Sequence, residues 1–303
     1  MKIGISVTSS FDLDDVRRGA RNMIEQARAA QDAGLESLFV GDHHVTPRPY
    51  YQNSPMLGRM LAEWGERDAG ALYLLPLWNP VLVAEQTATL ACIHGGRFIL
   101  QCGIGADARQ SSGMGVDIRY RVSMFEESLA TIRALWRGDS VTRVGRWKLE
   151  KSRISPLPPE PIDVWIGASA QIAIDRAARL GDAWLADPGC DFATARRRID
   201  AYRDACARHG RSPTTIAIRR DVHVGATADE ARRATAKYVS GGYRGFPEDA
   251  LVIGDVGRAT DRMAELGAMG YTDVIVRCIA AEQGEALATI ERLARVRERI
   301  ERV

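Results

Sequence analysis

The chain has 303 residues, 46% of them hydrophobic and 26% charged, the composition of an ordinary soluble globular protein. A formal net charge of +2 gives no reason to expect nucleic acid or a membrane as partner, and no apolar run approaches the ~18 residues that a membrane span needs. The five cysteines lie far apart with no CxxC, and the N-terminus opens directly on a strand, so we expect a cytoplasmic protein with reduced thiols rather than a disulfide framework or a zinc site.

Apolar runs of strand length alternate with helical patterns from one end of the chain to the other. Strands are expected at 3–7, 37–41, 71–75, 98–102, 164–166, 183–186, 216–223 and 273–277. Helices are expected near 17–33, 55–66, 81–93, 121–137, 170–180, 192–209, 228–240, 256–269 and 285–302. In the 121–137 helix, Val122, Phe125, Leu129, Ile132 and Trp136 follow one another at spacings of three and four, an apolar stripe. Thr227-Ala228-Asp229-Glu230 has the form of a capping box, and Asp255 with Gly270 brackets another helix. Strands apolar on both faces, alternating with helices, argue for a parallel sheet covered on all sides. The count points to a single α/β domain over residues 1–303, a (β/α)8 TIM barrel with insertions after strands 4 and 7. The long segments are 138–162, with an expected hairpin and a Pro-rich link, and the glycine-rich 240–254. An open doubly wound sheet is the alternative, weakened because no G-x-G-x-x-G follows the first strand.

Active sites of such barrels form where strands end and helices begin. The second strand leaves at Gly41-Asp42-His43-His44, the third ends near Trp78-Asn79-Pro80, and the fourth exits at Gly103-Ile104-Gly105. The fifth runs into Gly167-Ala168-Ser169-Ala170 just before a helix. Small residues there let a phosphate approach free N–H groups at the helix start; equally, an ordinary turn can need small residues for packing alone. Neighbouring residues of an extended chain face opposite ways, so His43 and His44 cannot both face one ion, and no metal site is expected. No lysine stands at a strand exit and there is no G-x-S-x-G. What remains suits an organic cofactor that does the chemistry while protein groups orient it.

The chain resembles the luciferase-like monooxygenase family, which includes bacterial luciferase and enzymes using a deazaflavin coenzyme. The matching residues run in order from 41 to 182: Gly-Asp-His-His at 41–44; Leu-Leu-Pro-Leu-Trp-Asn-Pro at 74–80 with Ala84-Glu85-Gln86; Gly-Gly-Arg-Phe-Ile-Leu-Gln-Cys-Gly-Ile-Gly at 95–105; Phe125-Glu126-Glu127 before Leu135-Trp136; and Trp165-Ile166-Gly167-Ala168-Ser169 with Gly181-Asp182. The resemblance implies a (β/α)8 barrel holding FMN or the deazaflavin (coenzyme F-420). Its phosphate would rest on Gly167, Ala168, Ser169 and Ala170. Its ring would sit near Asp42, His43 and a bulge at Ala71-Leu72 carrying a non-prolyl cis peptide, and Gly103 and Gly105 would leave room for the ribityl side. His43 would pass a proton to the coenzyme or to a substrate carbonyl, since an imidazole titrates near neutrality. Asp42 would orient that imidazole or bind a polar group of the coenzyme ring, and His44 would face away. Arg109, Tyr120 and Arg121 are candidates for an anionic substrate or the coenzyme's tail. Trp78, Tyr50, Tyr51 and Trp64 are candidates for the pocket, with core packing the stronger alternative for Trp64.

The activity implied is oxidation of a small organic substrate by reduced FMN and oxygen. The alternatives are hydride transfer by the deazaflavin and a non-catalytic flavin-binding protein. Relatives commonly form homodimers, and an FMN enzyme would draw on a flavin reductase. A barrel isomerase acting on a sugar phosphate would use the same turn, but no clear acid/base pair for it is present.

Overall fold

The computed structural model describes residues 1–302. In chain order the elements are β1 (Lys2–Val7), α1 (Val16–Asp32), β2 (Ser37–Val40), α2 (Asn53–Leu61), β3 (Asp68–Leu74), α3 (Pro80–His94), β4 (Phe98–Gly103), α4 (Ala108–Gly113) and α5 (Arg121–Trp136). There follow β5 (Val141–Arg143), β6 (Leu149–Ser152), β7 (Asp163–Ala168), α6 (Gln171–Leu180), β8 (Ala183–Ala186), α7 (Phe192–Arg208), β9 (Ile216–Val224) and α8 (Ala228–Ser240). The chain ends with β10 (Val252–Gly254), α9 (Val256–Met269), β11 (Asp273–Cys278) and α10 (Gln283–Glu301).

Strands pair in the order β10-β9-β11-β1-β2-β3-β4-β7-β8, and β8 also pairs with β9, so the sheet closes on itself. Eight of these strands make a closed parallel barrel flanked by helices, the expected (β/α)8 fold. Every strand expected from the apolar runs is present, with ends shifted by at most three residues. β2 and β4 are buried along their whole length and β11 at all but Arg277, which explains why their mainly apolar runs were legible. The insertion after β4 carries the antiparallel β5–β6 hairpin. The insertion after β9 carries β10, which pairs with Val222–Val224 beyond the end of β8's pairing at Ile216–Ile218. Among the described residues no helix is long and apolar enough to cross a membrane.

Backbone contacts divide the chain into two compact units. One comprises Met1–Thr8, Arg21–Phe39 and the chain from Trp165 onward; the other comprises Ser9–Ala20 and Val40–Val164. In the first, Trp165 is fully buried against Phe39, with ring centres 5.6 Å apart. Asp255 caps α9 by accepting from Arg258 N, and Gly270 closes it at φ 103°. Thr227 Oγ1 accepts from Glu230 N at 3.1 Å, but the Glu230 carboxylate accepts from Ala226 N rather than Thr227 N, so the expected box closes one residue early. In the second unit, Phe125, Leu129 and Ile132 bury the stripe of α5, while Val122 remains 37% exposed. The strands β3 and β4 run in register from Ala69 opposite Phe98 to Leu74 opposite Gly103. A Cβ on Gly70 would stand 2.0 Å from the Ile99 carbonyl oxygen, so this pair closes only over glycine. Gly70→Ala is expected to cost about 3 kcal/mol of stability, at the upper end for overpacking, because backbone would have to move; urea unfolding measures it.

Candidate active site

The site builds from the end of β2. A Cβ on Gly41 would lie 2.7 Å from the Tyr50 hydroxyl, and beyond it the Asp42 side chain is fully buried. Asp42 Oδ2 accepts hydrogen bonds from Leu74 N and from Trp78 Nε1, each at 2.8 Å. Asp42 Oδ1 lies 3.0 Å from His44 Nε2, an approach not aligned for a hydrogen bond, and neither atom has a hydrogen-bond partner among the described residues. The His44 ring packs edge-on against Trp78, centres 5.2 Å apart, and its backbone N–H donates to Gln110 Oε1 at 2.5 Å. The expectation that Asp42 orients His43 is therefore corrected: the carboxylate faces His44. Residues two apart on an extended chain share a side, and adjacent ones do not.

His43 is half-buried, with its ring 5.6 Å from that of Tyr50 and its carbonyl accepting from Gln52 Nε2 at 3.3 Å. Its ring nitrogens make no hydrogen bond among the described residues, so it is the histidine of the pair left available to a ligand. Asp107, at the start of α4, accepts from Gln110 N and Arg109 N. These bonds hold its carboxyl below the usual range, with smaller help from the charges of Arg109 and His43. Gln110, missed in the sequence, is thus tied to the loop that carries both histidines.

At the third strand, Ala71 is buried and Leu72 half-buried, but the expected bulge and cis peptide are absent. Pairing of β3 with β4 is one-for-one throughout, and the sole cis bond among the described residues is Ser155–Pro156. The Leu72 carbonyl accepts from Asn53 Nδ2 at 2.7 Å. Next to it Ser54 Oγ donates to Gln86 Oε1 at 2.6 Å and lies 2.8 Å from the Tyr73 hydroxyl, whose pKa burial raises. This polar cluster was not foreseen beyond Gln86's place in a matching motif. At Gly103 a Cβ would meet Leu74 Cδ2 at 3.6 Å, an ordinary contact, so glycine there opens no special cradle; Gly105 instead serves a left-handed turn at φ 65°.

In the other unit, β7 runs into the small-residue turn. Gly167 and Ala168 are half-buried, and Ser169 and Ala170 are exposed. The Ala168 carbonyl accepts from Trp184 Nε1 at 2.9 Å, which ties the turn to β8. Ala170 is the N-cap of α6 and no side chain caps that helix, so its first N–H groups are open. The turns into α7 and α9 differ, since Asp191 and Asp255 fill theirs.

Of the other sequence candidates, Arg109 is an exposed side chain 3.9 Å from Asp107, Tyr120 lies under the Arg146 guanidinium, and Arg121 bonds the Ile118 carbonyl. Tyr51 donates its hydroxyl to the Val16 carbonyl. Trp64 is buried at the start of β3 with its Nε1 on the Arg67 and Asp68 carbonyls, a core residue. Among the described residues no group of three or more His, Cys, Asp or Glu could hold a metal ion.

Residues 1–303 match the luciferase-like monooxygenase family in full. The chain belongs to that family. Among relatives, it is 29% identical over 181 residues to the F420-dependent glucose-6-phosphate dehydrogenase of Amycolatopsis mediterranei, covering 56% of this chain and 54% of that one. The chain thus spans about half the length of the curated relatives it matches. Among solved structures of this fold, an F420-dependent secondary alcohol dehydrogenase in complex with an F420–acetone adduct superposes with TM-score 0.82 at 17% identity, covering 99% of this chain and 98% of that one. The oxygenating constituent of 3,6-diketocamphane monooxygenase from Pseudomonas putida, a type II Baeyer–Villiger enzyme in complex with FMN, superposes with TM-score 0.81 at 15% identity, over 97% and 96% of the two chains.

The Asp42 arrangement makes a measurable demand. In double-mutant cycles, Asp42→Asn with His44→Gln is expected to show a stability coupling of about 0.5–3 kcal/mol, whereas Asp42→Asn with His43→Gln adds to within about 0.5 kcal/mol. Coupling to His43 alone contradicts the placement.

Proposed function

We propose that this chain is a coenzyme-dependent oxidoreductase that binds a flavin or deazaflavin and acts on a small organic substrate, with the deazaflavin as the favoured coenzyme. The observation that carries the reading is the uncapped turn after β7 in a chain of this family: Gly167, Ala168, Ser169 and Ala170 present small side chains and open amides where a phosphate would dock. The deazaflavin is favoured because the Amycolatopsis relative, by its name, depends on it. The FMN-bound monooxygenase of the same fold supports FMN with oxygen as a second reading. The bound coenzyme would supply the hydride chemistry or, as reduced FMN, oxygen activation.

The protein's part is orientation and proton handling. His43, half-buried and with unengaged ring nitrogens, would exchange a proton with the substrate at its reacting oxygen. Asp42, held by Leu74 N and Trp78 Nε1 beside His44, would keep the exit loop in place. Ala71, Leu72, Gly103 and Gly105 would contact the ring and ribityl portions. We also propose that residues 1–303 work as one domain, in a cytoplasmic homodimer, with a flavin reductase as partner only if FMN is the coenzyme.

Isothermal titration of the purified chain with each coenzyme tests this: tighter binding of the deazaflavin is expected, and affinity for neither sinks the reading. Ser169→Asp, which sets a carboxylate against the phosphate, is expected to weaken binding by at least about tenfold, roughly 1.4 kcal/mol. His43→Ala should leave the dissociation constant within about threefold while slowing turnover about 10²- to 10⁴-fold, the usual worth of a general acid or base. Equal turnover in the two proteins removes His43 from the chemistry.

A further inference from the structure

Within the unit that holds β9 and β11, one carboxylate is surrounded by more positive charge than it can balance. Arg219 and Asp221 stand two apart on β9 and share a face, and Arg277 of β11 is the register partner of Asp221. Asp221 is fully buried. Its Oδ1 accepts from Arg219 Nε at 3.1 Å; its Oδ2 accepts from the Tyr243 hydroxyl at 2.8 Å and lies 3.9 Å from Arg244 Nε. Arg244 sits in a tight turn at φ 53°, between Gly242 at φ 73° and Gly245 at φ 71°. That conformation is uncommon for a residue with a side chain and persists where contacts enforce it.

Three guanidiniums thus face a single carboxylate. The donor capacity left over is specific. Arg219 Nη2 is buried with no hydrogen-bond partner, and Arg277 makes neither hydrogen bond nor ion pair among the described residues. Burial, together with the charges of Arg277 and Arg244, outweighs the attraction of Asp221 and draws the Arg219 pKa down to about 10. Desolvated cations without partners are costly, and an anion supplied from outside would offset that cost. The cluster is also within reach of solvent, since the Arg219 side chain is 19% exposed and that of Arg244 40%.

We propose that Arg219, Arg244 and Arg277 form a subsite for an oxyanion, a carboxylate or a phosphate, with Asp221 and Tyr243 setting the guanidiniums in position. Arginine suits this ligand because its fork of N–H donors matches two oxygens at once. The oxyanion is either an acidic group of the substrate or the acidic tail of the coenzyme. Its place in the reaction rests on the oxidoreductase reading above; the binding of the anion does not.

The test uses inorganic phosphate as probe and the full chain free of coenzyme. Ser169→Asp first removes the turn after β7 as a competing phosphate site. Isothermal titration of that protein is expected to retain one phosphate per chain. Adding Arg277→Gln, or separately Arg244→Gln on its exposed turn, is expected to weaken the phosphate tenfold or more. No phosphate bound by the Ser169→Asp protein, or unchanged affinity in both arginine variants, overturns the subsite. A second arm finds the source of the anion. In a chain altered only at Arg277→Gln, loss of affinity for the whole deazaflavin but not for its tail-less analogue assigns the tail. Unchanged affinity for both assigns the substrate, and either result supports the subsite. A wild-type chain that binds phosphate at the cluster but neither coenzyme would sink the oxidoreductase reading and leave the subsite standing.

Discussion

A buried carboxylate is costly unless donors engage it, and at Asp42 one oxygen takes two donors while the other has only His44 Nε2 beside it, which makes this side chain the point on which the site depends. Its two donors, Leu74 N and Trp78 Nε1, come from the end of β3 and the segment just beyond it, so the carboxylate fastens the exit of one strand to the exit of the next. Hydrogen bonds to a charged acceptor contribute about 1.5–3 kcal/mol each, so the pair fastens the Gly41–His44 loop firmly to the end of β3. The backbone of His44 is held in turn by Gln110, on a helix whose own start Asp107 caps. Asp42 Oδ1 lies beside His44 Nε2, whereas the His43 ring makes no hydrogen bond among the described residues.

The other unit contributes a contrasting electrostatic character. Around β9 and β11 the guanidiniums outnumber the carboxylate they surround, and α6 begins with no acidic or hydroxyl cap. Both features favour negative charge arriving from outside: one through desolvated arginines, the other through the amides and dipole of a helix start. A ligand with separated acidic groups would satisfy both. A neutral one would leave the buried Arg219 donor unpaired.

Much of the fold was legible because parallel strands buried on both faces carry apolar runs, Phe98–Leu100 in β4 and Val274–Val276 in β11, and because Asp255 and Gly270 mark their helix in the chain itself. The site was less legible. The alternation rule that sets His43 and His44 on opposite sides also sets Asp42 and His44 on the same side. Gln110, Asn53 and Ser54 enter through contacts 66, 19 and 32 residues away along the chain, and no local pattern announces such partners. The cis peptide at Ala71-Leu72 came from resemblance rather than from these residues. The regular ladder of β3 on β4 leaves no extra residue there to form a bulge. The surplus charge around Asp221 was hidden for a related reason, since arginines spread along a sequence look like solvated surface until strand register brings Arg277 beside β9.

Docking of the coenzyme phosphate on the small-residue turn after β7 is tested directly by a crystal structure of the chain grown with the deazaflavin. Phosphate oxygens are expected within hydrogen-bond distance of the first backbone amides of α6, beside Ser169. A coenzyme whose phosphate lies elsewhere, with those amides bonded to water, would contradict it.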